Sequence, residues 1–283
     1  MAADAVQAAD TGADAEPGRA PGGPVCTVMD CGDSALVVKA AGPDAEENWR
    51  LVHALADALD AVRLPGVHDM VATYDALLVE FDSATTDHET VRRVLRHEAD
   101  RIGAGAGQRS SAPPRRFVVP VVYGGEFGPD LPEVAAQLGL TEDEVVAVHS
   151  GSDLTVRCLG APAGAPMMDG PPFPGPVPRL ASPRTRVDPG AVAVAGRQAV
   201  ICPMPSPGGW PLLGRTPLRV LDPHSDPLTA YRPGDTFRFV PITPDEWDTY
   251  AGTPLAAYDA GTGTGGGPAH DDASRTTPAG RRG

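Results

Sequence analysis

The chain has 283 residues, of which 41 % are hydrophobic, 21 % are charged and only 5 % are aromatic. This composition provides enough apolar material for packed cores and predicts a globular protein of one large or two ordinary domains. A formal net charge of -14 would repel phosphate backbones and anionic lipids. We therefore expect neither nucleic acid nor a membrane as a partner.

Signals for export or metal binding are missing from the sequence. No apolar run approaches the roughly 20 residues of a membrane span, and the first residues lack the basic and then apolar pattern of a secretion signal. We therefore expect a cytoplasmic protein. The four cysteines are widely spaced, with few histidines beside them, which favours reduced thiols over a disulfide framework and predicts no metal-binding residues.

Both ends of the chain are poor in large apolar side chains. Residues 1–23 are mainly Ala, Asp, Gly and Pro, and residues 257–283 are rich in Gly and in small or charged residues. Burial there would not offset the entropy of ordering the backbone. We predict a disordered tail at each end.

The first half of the remaining sequence alternates strand and helix patterns. A capping box of Asp44 and Glu47 opens one helix, and a second is predicted over 87–102. Strands are predicted at 25–30, 35–39, 67–73, 76–81 and 117–122. The order strand, helix, strand, strand, helix, strand is that of a ferredoxin-like α+β unit, which we predict for residues 24–123.

The pattern changes in the second half. Two short helices, at 130–138 and at 141–149, form a predicted helical link over 124–151, and a capping box of Thr141 and Glu144 opens the second. Strand-like runs separated by Gly/Pro turns follow, at 154–159, 191–195, 198–202, 218–221 and 236–242. We predict an all-β domain over 152–245, closed into a barrel.

Short motifs spread along the chain resemble those of one protein family. They are Gly32-Asp-Ser-Ala35, Pro120-Val-Val-Tyr-Gly-Gly-Glu126, Gly128-Pro-Asp-Leu131, His149-Ser-Gly151, Pro183-Arg-Thr-Arg-Val187, Pro189-Gly-Ala-Val192, Ser206-Pro-Gly-Gly-Trp210 and Gly214-Arg-Thr-Pro217. Their order and spacing resemble the B-subunit family of bacterial 5-oxoprolinase, also called allophanate hydrolase subunit 1, which includes the Kip inhibitor of a sporulation kinase. The resemblance extends from about Val25 to Ile242.

The resemblance implies a fold and an activity. The fold would be a ferredoxin-like N-terminal domain followed by a cyclophilin-like β-barrel. The activity would be an ATP-dependent amide or lactam hydrolase, with Mg as the companion of ATP, that opens 5-oxoproline to glutamate. It would act together with a C subunit, whose barrel fold is related, and with an A subunit. Its substrate would be a small carboxylate-bearing amide. A component of an allophanate hydrolase and a regulatory protein that inhibits a sensor histidine kinase remain alternatives.

The sequence departs from this family at several aromatic positions. Ala161, Ala165 and Met167 stand in a run where relatives usually carry aromatic residues, and Leu154 and Cys202 replace tyrosines. If those aromatics contact substrate, the pocket here is wider; if they belong to the core, the core is repacked with smaller groups. A lost pocket would favour the kinase-binding alternative.

The candidate substrate-binding residues lie in two stretches rich in proline and glycine. Arg179 and Arg184 could each present a guanidinium fork to a carboxylate or phosphate, or could be solvated surface charges. The stretch from 205 to 217 would form the wall of the site. There Gly208 and Gly209 would let backbone N–H groups approach an anion, Trp210 would offer a flat face, and Ser206 and Arg215 would add polar groups.

Two further residues complete the candidate set. Gln198 could bind the substrate amide through its own amide, or could be a strand-edge residue without a role. His149 is the candidate catalytic group for proton transfer, although a histidine at a helix C-terminus also interacts favourably with the helix dipole. The loop 123–129 lacks a Gly-x-x-x-x-Gly-Lys-Ser/Thr pattern, so ATP is implied by the resemblance alone.

Overall fold

The structure is a computed structural model that describes residues 24–103 and 113–258. The chain divides into two compact units, Met1–Arg109 and Ser110–Gly283. The predicted tails lie outside the described residues, apart from 257–258. Among the described helices, none has both the length and the apolar character needed to cross a bilayer.

The first unit is an antiparallel sheet of four strands with two helices on one of its faces. The strands lie in the order β1-β2-β4-β3. The elements are β1 (Val25–Asp30), β2 (Ala35–Ala41), α1 (Ala45–Val62), β3 (Val67–Ala72), β4 (Ala76–Phe81) and α2 (His88–Gly103). The core forms where Val52 and Leu55 of α1 and Leu95 of α2 pack against Leu36 and Val79 of the sheet.

The first unit does not have the strand order of the predicted ferredoxin-like fold. The segment 117–122, predicted as its last strand, belongs to the barrel of the second unit, and β1 occupies the sheet edge beside β2 instead. The reason is visible in the sequence Phe117-Val-Val-Pro-Val-Val122, whose residues are all buried. A strand that is apolar on both faces requires cover on both faces. The predicted boundary at 123/124 is therefore not where the chain divides.

The second unit is built on a closed barrel of seven strands in the order β10-β7-β6-β13-β5-β12-β9, which confirms the predicted closure. Within this barrel, β5 and β13 pair in parallel and the other neighbours are antiparallel. The barrel strands are β5 (Arg116–Tyr123), β6 (Asp153–Gly160), β7 (Ala165–Asp169), β9 (Ala191–Ala195), β10 (Gln198–Ile201), β12 (Leu212–Arg215) and β13 (Thr236–Pro241). Phe117 and Phe237 stack in its core with their ring centroids 5.2 Å apart.

The remaining elements pack around this barrel. They are α3 (Leu131–Leu138), α4 (Glu142–Ser150), a two-stranded ribbon of β8 (Arg184–Val187) and β11 (Ser206–Gly208), a 3-10 turn at Pro244–Glu246 and α5 (Trp247–Tyr250). The capping box predicted at Thr141 and Glu144 is confirmed at the start of α4. Val134 of α3 and Val145 of α4 belong to the barrel core, so these helices are part of the unit and not a separate link. The strand predicted at 218–221 is wrong, because those residues form only isolated bridges.

A buried carboxylate fastens the start of β5 to the turn before β13. Asp235 is fully buried and accepts hydrogen bonds from the backbone N–H groups of Arg115, at 2.9 Å, and Arg232, at 3.0 Å. Its second oxygen lies 2.6 Å from the guanidinium of Arg115. This one side chain thus sets the parallel pairing of two strands that are about 120 residues apart in the sequence.

We expect Asp235→Ala to lower the free energy of unfolding of the barrel unit by about 2 to 3 kcal/mol, because it leaves two partly buried N–H groups without their acceptor, whereas the Arg115 guanidinium, 43 % exposed, can turn to water. Urea unfolding followed by tryptophan fluorescence measures this. Asp153→Ala is the matched control, since Asp153 pairs with Arg116 at the surface and both side chains are 47 % exposed. The control should change the free energy by less than about 1 kcal/mol; equal losses in the two variants would contradict the role given to Asp235.

Candidate functional site

The β8–β11 ribbon brings most of the predicted binding residues together. Ser206 pairs with Val187, and Gly208 pairs with Arg184. The loop that carries Arg179 is attached to the same ribbon, because the Leu180 N–H donates to the Gly209 carbonyl at 2.8 Å. Ser206, Gly208, Gly209, Trp210, Arg179 and Arg184 are therefore neighbours, as the sequence predicts.

Asp130 joins this ribbon to helix α3. One carboxylate oxygen of Asp130 accepts from the Arg184 guanidinium at 2.7 Å, and the other accepts from the Leu212 N–H, also at 2.7 Å. The Asp130 N–H in turn donates to the Leu212 carbonyl at 3.2 Å. Arg184 thus uses its charge within the protein, which is a positioning role and not the solvated surface charge of the alternative interpretation.

A groove of about 330 Å³ lies between α3 and the loop 178–182. Its walls carry both charges and apolar groups: Asp130, Glu133, Val134, Gln137, Arg179, Ser182 and Pro211. Each oxygen of Asp130 already accepts a hydrogen bond, one from Arg184 and the other from Leu212. Glu133 accepts a hydrogen bond from the Gln137 amide at 3.1 Å. The cation that remains at the groove for a ligand is Arg179.

Arg179 lies over the indole ring of Trp210, 5.8 Å from the ring centroid. Trp210 itself packs against a small apolar cluster beneath the ribbon, formed by Val187, Ala191 and Leu212 among others. The ring therefore supports the guanidinium from below and leaves its N–H groups for a planar anion. A carboxylate is the ligand group that this arrangement fits best.

One glycine of the wall, Gly208, has a packing role in addition to its predicted binding role. A Cβ on Gly208 would come within 2.9 Å of a Val187 methyl group, so only glycine fits between the two ribbon strands. A Cβ on Gly209 would make only an ordinary contact with Pro183 at 3.5 Å. The Ser206 hydroxyl lies 3.4 Å from the Cys202 thiol.

Arg215 lies apart from the groove. Its Nε donates to the Pro189 carbonyl at 2.9 Å, and its guanidinium lies 5.6 Å from the ring centroid of Trp247. Trp247 in turn packs on Phe127, with ring centroids 5.0 Å apart. Arg215 therefore shares its environment with Trp247 and not with Trp210, and it does not line the groove.

Gln198 also lies outside the groove. It begins β10, opposite Asp169 of β7 and Ala195 of β9. Within the described part of the chain, no hydrogen bond of its side chain is recorded, and it is not among the groove residues. The position agrees with the alternative interpretation of Gln198, a strand-edge residue without a role in binding.

His149 is enclosed in the barrel core. It is fully buried, its Nδ1 lies 2.7 Å from the Tyr123 hydroxyl, and its ring packs on Phe239 with centroids 4.5 Å apart. Burial lowers the pKa of His149 to about 3 and raises the pKa of the Tyr123 phenol above its usual value. A neutral, enclosed imidazole cannot reach a ligand in the groove, so the structure does not support the predicted catalytic role.

The glycine loop before α3 has an acidic neighbour, which is unfavourable for the phosphates of a nucleoside triphosphate. Gly124 and Gly125 have positive φ angles of 68° and 54°, which turns the backbone sharply. A carboxylate lies beside the loop, however, because Glu142 is 3.9 Å from where a Gly124 Cβ would be. Its negative charge disfavours phosphate. Among the described residues, no group of three or more potential metal ligands occurs.

Asp130, Glu133 and Gln137 line the groove but are not among the residues predicted from the sequence. The signal for Asp130 is the Gly128-Pro-Asp-Leu131 motif, whose glycine has a clear physical cause. A Cβ on Gly128 would lie 2.0 Å from the Leu213 carbonyl oxygen, so the loop can reach β12 and place Asp130 beside Leu212 only with glycine there.

Comparison with known proteins assigns the chain to a family. Residues 26–231 match the family model described as carboxyltransferase domain, subdomain C and D. A relative from Bacillus subtilis, named as the B subunit of 5-oxoprolinase, is 33 % identical over 230 residues, covering 77 % of this chain and 94 % of the relative. A protein of the same name from Escherichia coli O157:H7 is 35 % identical over 216 residues, covering 74 % of this chain and 93 % of the relative.

The chain belongs to this family of 5-oxoprolinase B subunits. Among solved structures, it is similar to TTHA0988, with 36 % identity and a TM-score of 0.63 over 75 % of this chain, and it spans only 41 % of that longer protein. The urea amidolyase of K. lactis shares the fold, with a TM-score of 0.67 over 86 % of this chain at 17 % identity. The chain covers 17 % of that protein.

The burial of His149 predicts a specific pH dependence of stability. The pKa of this imidazole is about 3 when folded, whereas the ordinary value is about 6.5. The unfolded chain therefore binds a proton at His149 as the pH falls below 6.5, and the folded chain does not until about pH 3. Its contribution to stability is complete above pH 6.5 and is lost as the pH falls, by about 2 kcal/mol between pH 7 and pH 5.

We expect His149→Phe to remove this loss, so that its free energy of unfolding depends less steeply on pH between about 7 and 5. Urea unfolding at a series of pH values measures the slope, which is the relevant quantity because the variant also deprives Tyr123 of its partner at every pH. His224→Gln, at an exposed position of the same unit, is the control and should retain the wild-type slope. If His149→Phe kept the wild-type slope, His149 of the wild-type protein would take up its proton in the folded chain at the same pH as in the unfolded chain, which contradicts the prediction.

Proposed function

We propose that the chain is a subunit of an ATP-dependent amide or lactam hydrolase of the 5-oxoprolinase type. The reaction opens the lactam of 5-oxoproline to glutamate by adding water across the C–N bond, while ATP is hydrolysed. The observation that carries the proposal is that two curated relatives, both named as 5-oxoprolinase B subunits, match this chain over 94 % and 93 % of their own lengths.

The groove beside α3 is the proposed binding site for the substrate carboxylate. Arg179, stacked on Trp210, supplies the cation, and Pro211 and Val134 supply apolar contact for a small ring. Arg184 has an indirect role in this proposal. It binds Asp130, and Asp130 in turn holds the segment that carries Trp210 and Leu212.

The chemical steps are proposed to depend on partner subunits. Asp130 has both oxygens engaged, and His149 is neutral and buried, so neither is available as a general base at the groove. The Glu142 carboxylate beside Gly124 argues against the phosphate groups of ATP at this loop. We therefore assign the nucleotide to another subunit. In this proposal a protein like the C subunit of 5-oxoprolinase completes the hydrolase with this chain, and an A subunit takes part.

Reconstitution tests this proposal. The chain is purified with its C-type and A-type partner subunits, and glutamate formation from 5-oxoproline is measured with and without ATP and with each subunit omitted. We expect turnover only with ATP and all subunits. ATP-dependent turnover of allophanate alone would move the assignment to an allophanate hydrolase. No turnover of either compound, together with specific inhibition of a sensor histidine kinase by the chain, would overturn the enzyme assignment.

Arg179→Ala tests the groove within that complex. We expect the KM for 5-oxoproline to rise roughly tenfold or more with a smaller change in kcat, because the variant removes a charge-assisted bond to a part of the substrate that does not react. The control is Arg186→Ala, whose side chain is 67 % exposed on the same ribbon and pairs with Asp188. An unchanged KM in Arg179→Ala, with the complex intact, would remove the groove from the substrate site.

A further inference from the structure

The sheet of the first unit has an apolar face that the helices do not cover. Residues paired across its four strands form a continuous row on that face: Met29, Val37, Leu78 and Val71, in the order β1, β2, β4, β3. None of the four belongs to the core between the sheet and the helices. Met29 is 47 % exposed and Val71 39 %, so the row ends in open apolar side chains on both edge strands.

Such a face is unusual for an antiparallel sheet that faces water. A sheet packed on helices at one face normally presents polar side chains on the other. Here Val25, 51 % exposed, and Ala41 extend the apolar surface at one end of β1 and β2. Contiguous exposed apolar surface of this kind marks an interaction site.

Opposite charges lie on the two sides of the row. Lys39 stands on one side, paired with Ala76, and is 46 % exposed. On the other side, Glu80 and Asp69 lie directly opposite each other on β4 and β3. Two carboxylates in this position repel each other, and no salt bridge to either of them is recorded among the described residues. A cation supplied by a partner would relieve that repulsion.

We propose that this face binds the same face of a second copy of the chain. A two-fold axis along the row would place the row of one copy on the row of the other, so that apolar side chains meet apolar side chains. The same axis exchanges the two sides of the row. It therefore brings Lys39 of each copy towards Glu80 and Asp69 of the other, twice over by symmetry. The face is complementary to itself in both apolar character and charge.

The size of the face sets the affinity that we expect for the dimer. Four strands of about six residues cover about 19 Å by 20 Å, or roughly 400 Å² on each copy. This is smaller than the roughly 800 Å² per partner of a standard stable interface. The net charge of -14 also opposes self-association. The dimer is accordingly reversible, with a dissociation constant in the micromolar range.

Sedimentation velocity of the full chain between about 1 μM and about 200 μM tests the proposal. A concentration-dependent monomer–dimer equilibrium is expected. Leu78→Glu, at the centre of the row, should raise the dissociation constant at least roughly tenfold by burying a charge in the interface. Val62→Glu is the matched control, since Val62 is an exposed apolar residue, 46 % exposed, at the end of α1 and not on this face; it should leave the equilibrium unchanged.

Charge-swap variants distinguish this arrangement from nonspecific association. Lys39→Glu and Glu80→Lys should each weaken the dimer, by roughly threefold to tenfold, and the double variant should restore it to within about threefold of wild type. Lys39→Glu also breaks the bridge between Lys39 and Asp75 within the chain, but only a contact between copies is restored by the second change.

Two results would overturn the proposal. One is a chain that stays monomeric across the whole concentration range. If Leu78→Glu then also abolished binding of a C-type partner subunit, the face would be assigned to that partner. The other is a dimer that Leu78→Glu leaves intact while circular dichroism shows the variant to be folded.

Discussion

The groove side of the barrel unit depends on the carboxylate of Asp130. It is the point where the N-terminus of α3, strand β12 and the β8–β11 ribbon meet, and it accepts from Leu212 and Arg184 at 2.7 Å each. A buried carboxylate is costly unless its oxygens are paired, and here both are. Because Gly128 must approach the Leu213 carbonyl for Asp130 to reach this point, a loop, a helix and a ribbon are fixed by one local arrangement.

That arrangement also divides the arginines by role. Arg184 donates to Asp130 and Arg215 donates to the Pro189 carbonyl, so each contributes to holding the fold together. Arg179 rests on the face of Trp210, and an aromatic face does not consume its N–H donors. The three arginines are indistinguishable in composition, and only their partners separate a binding group from two structural ones. A groove with one such cation is suited to holding an anionic ligand.

Local signals in the sequence predicted much of the structure. Asp44 and Thr141 cap their helices as expected, and the strands at 154–159, 191–195 and 236–242 form, because caps and alternation depend on nearby residues. The errors concern long-range partners. Residues 117–122 read as the last strand of the first unit, but they pair with 236–241, a partner that no local pattern specifies. In the same way the ribbon grouped Arg179 with Trp210 as predicted, whereas Arg215 and Gln198, close to it in sequence, face other elements.

The five positions at which we expected relatives to carry aromatic residues can be compared with the structure. Leu154 and Ala165 are each 2 % exposed, Met167 is half-buried on β7, Ala161 lies on the surface of the turn between β6 and β7, and Cys202 packs against the cluster beneath the ribbon. None of them lines the groove. Smaller residues at these positions would therefore change packing in the barrel and at one turn, where neighbours can accommodate them. They leave Arg179 and Trp210 in place, so they do not count against a substrate site at the groove.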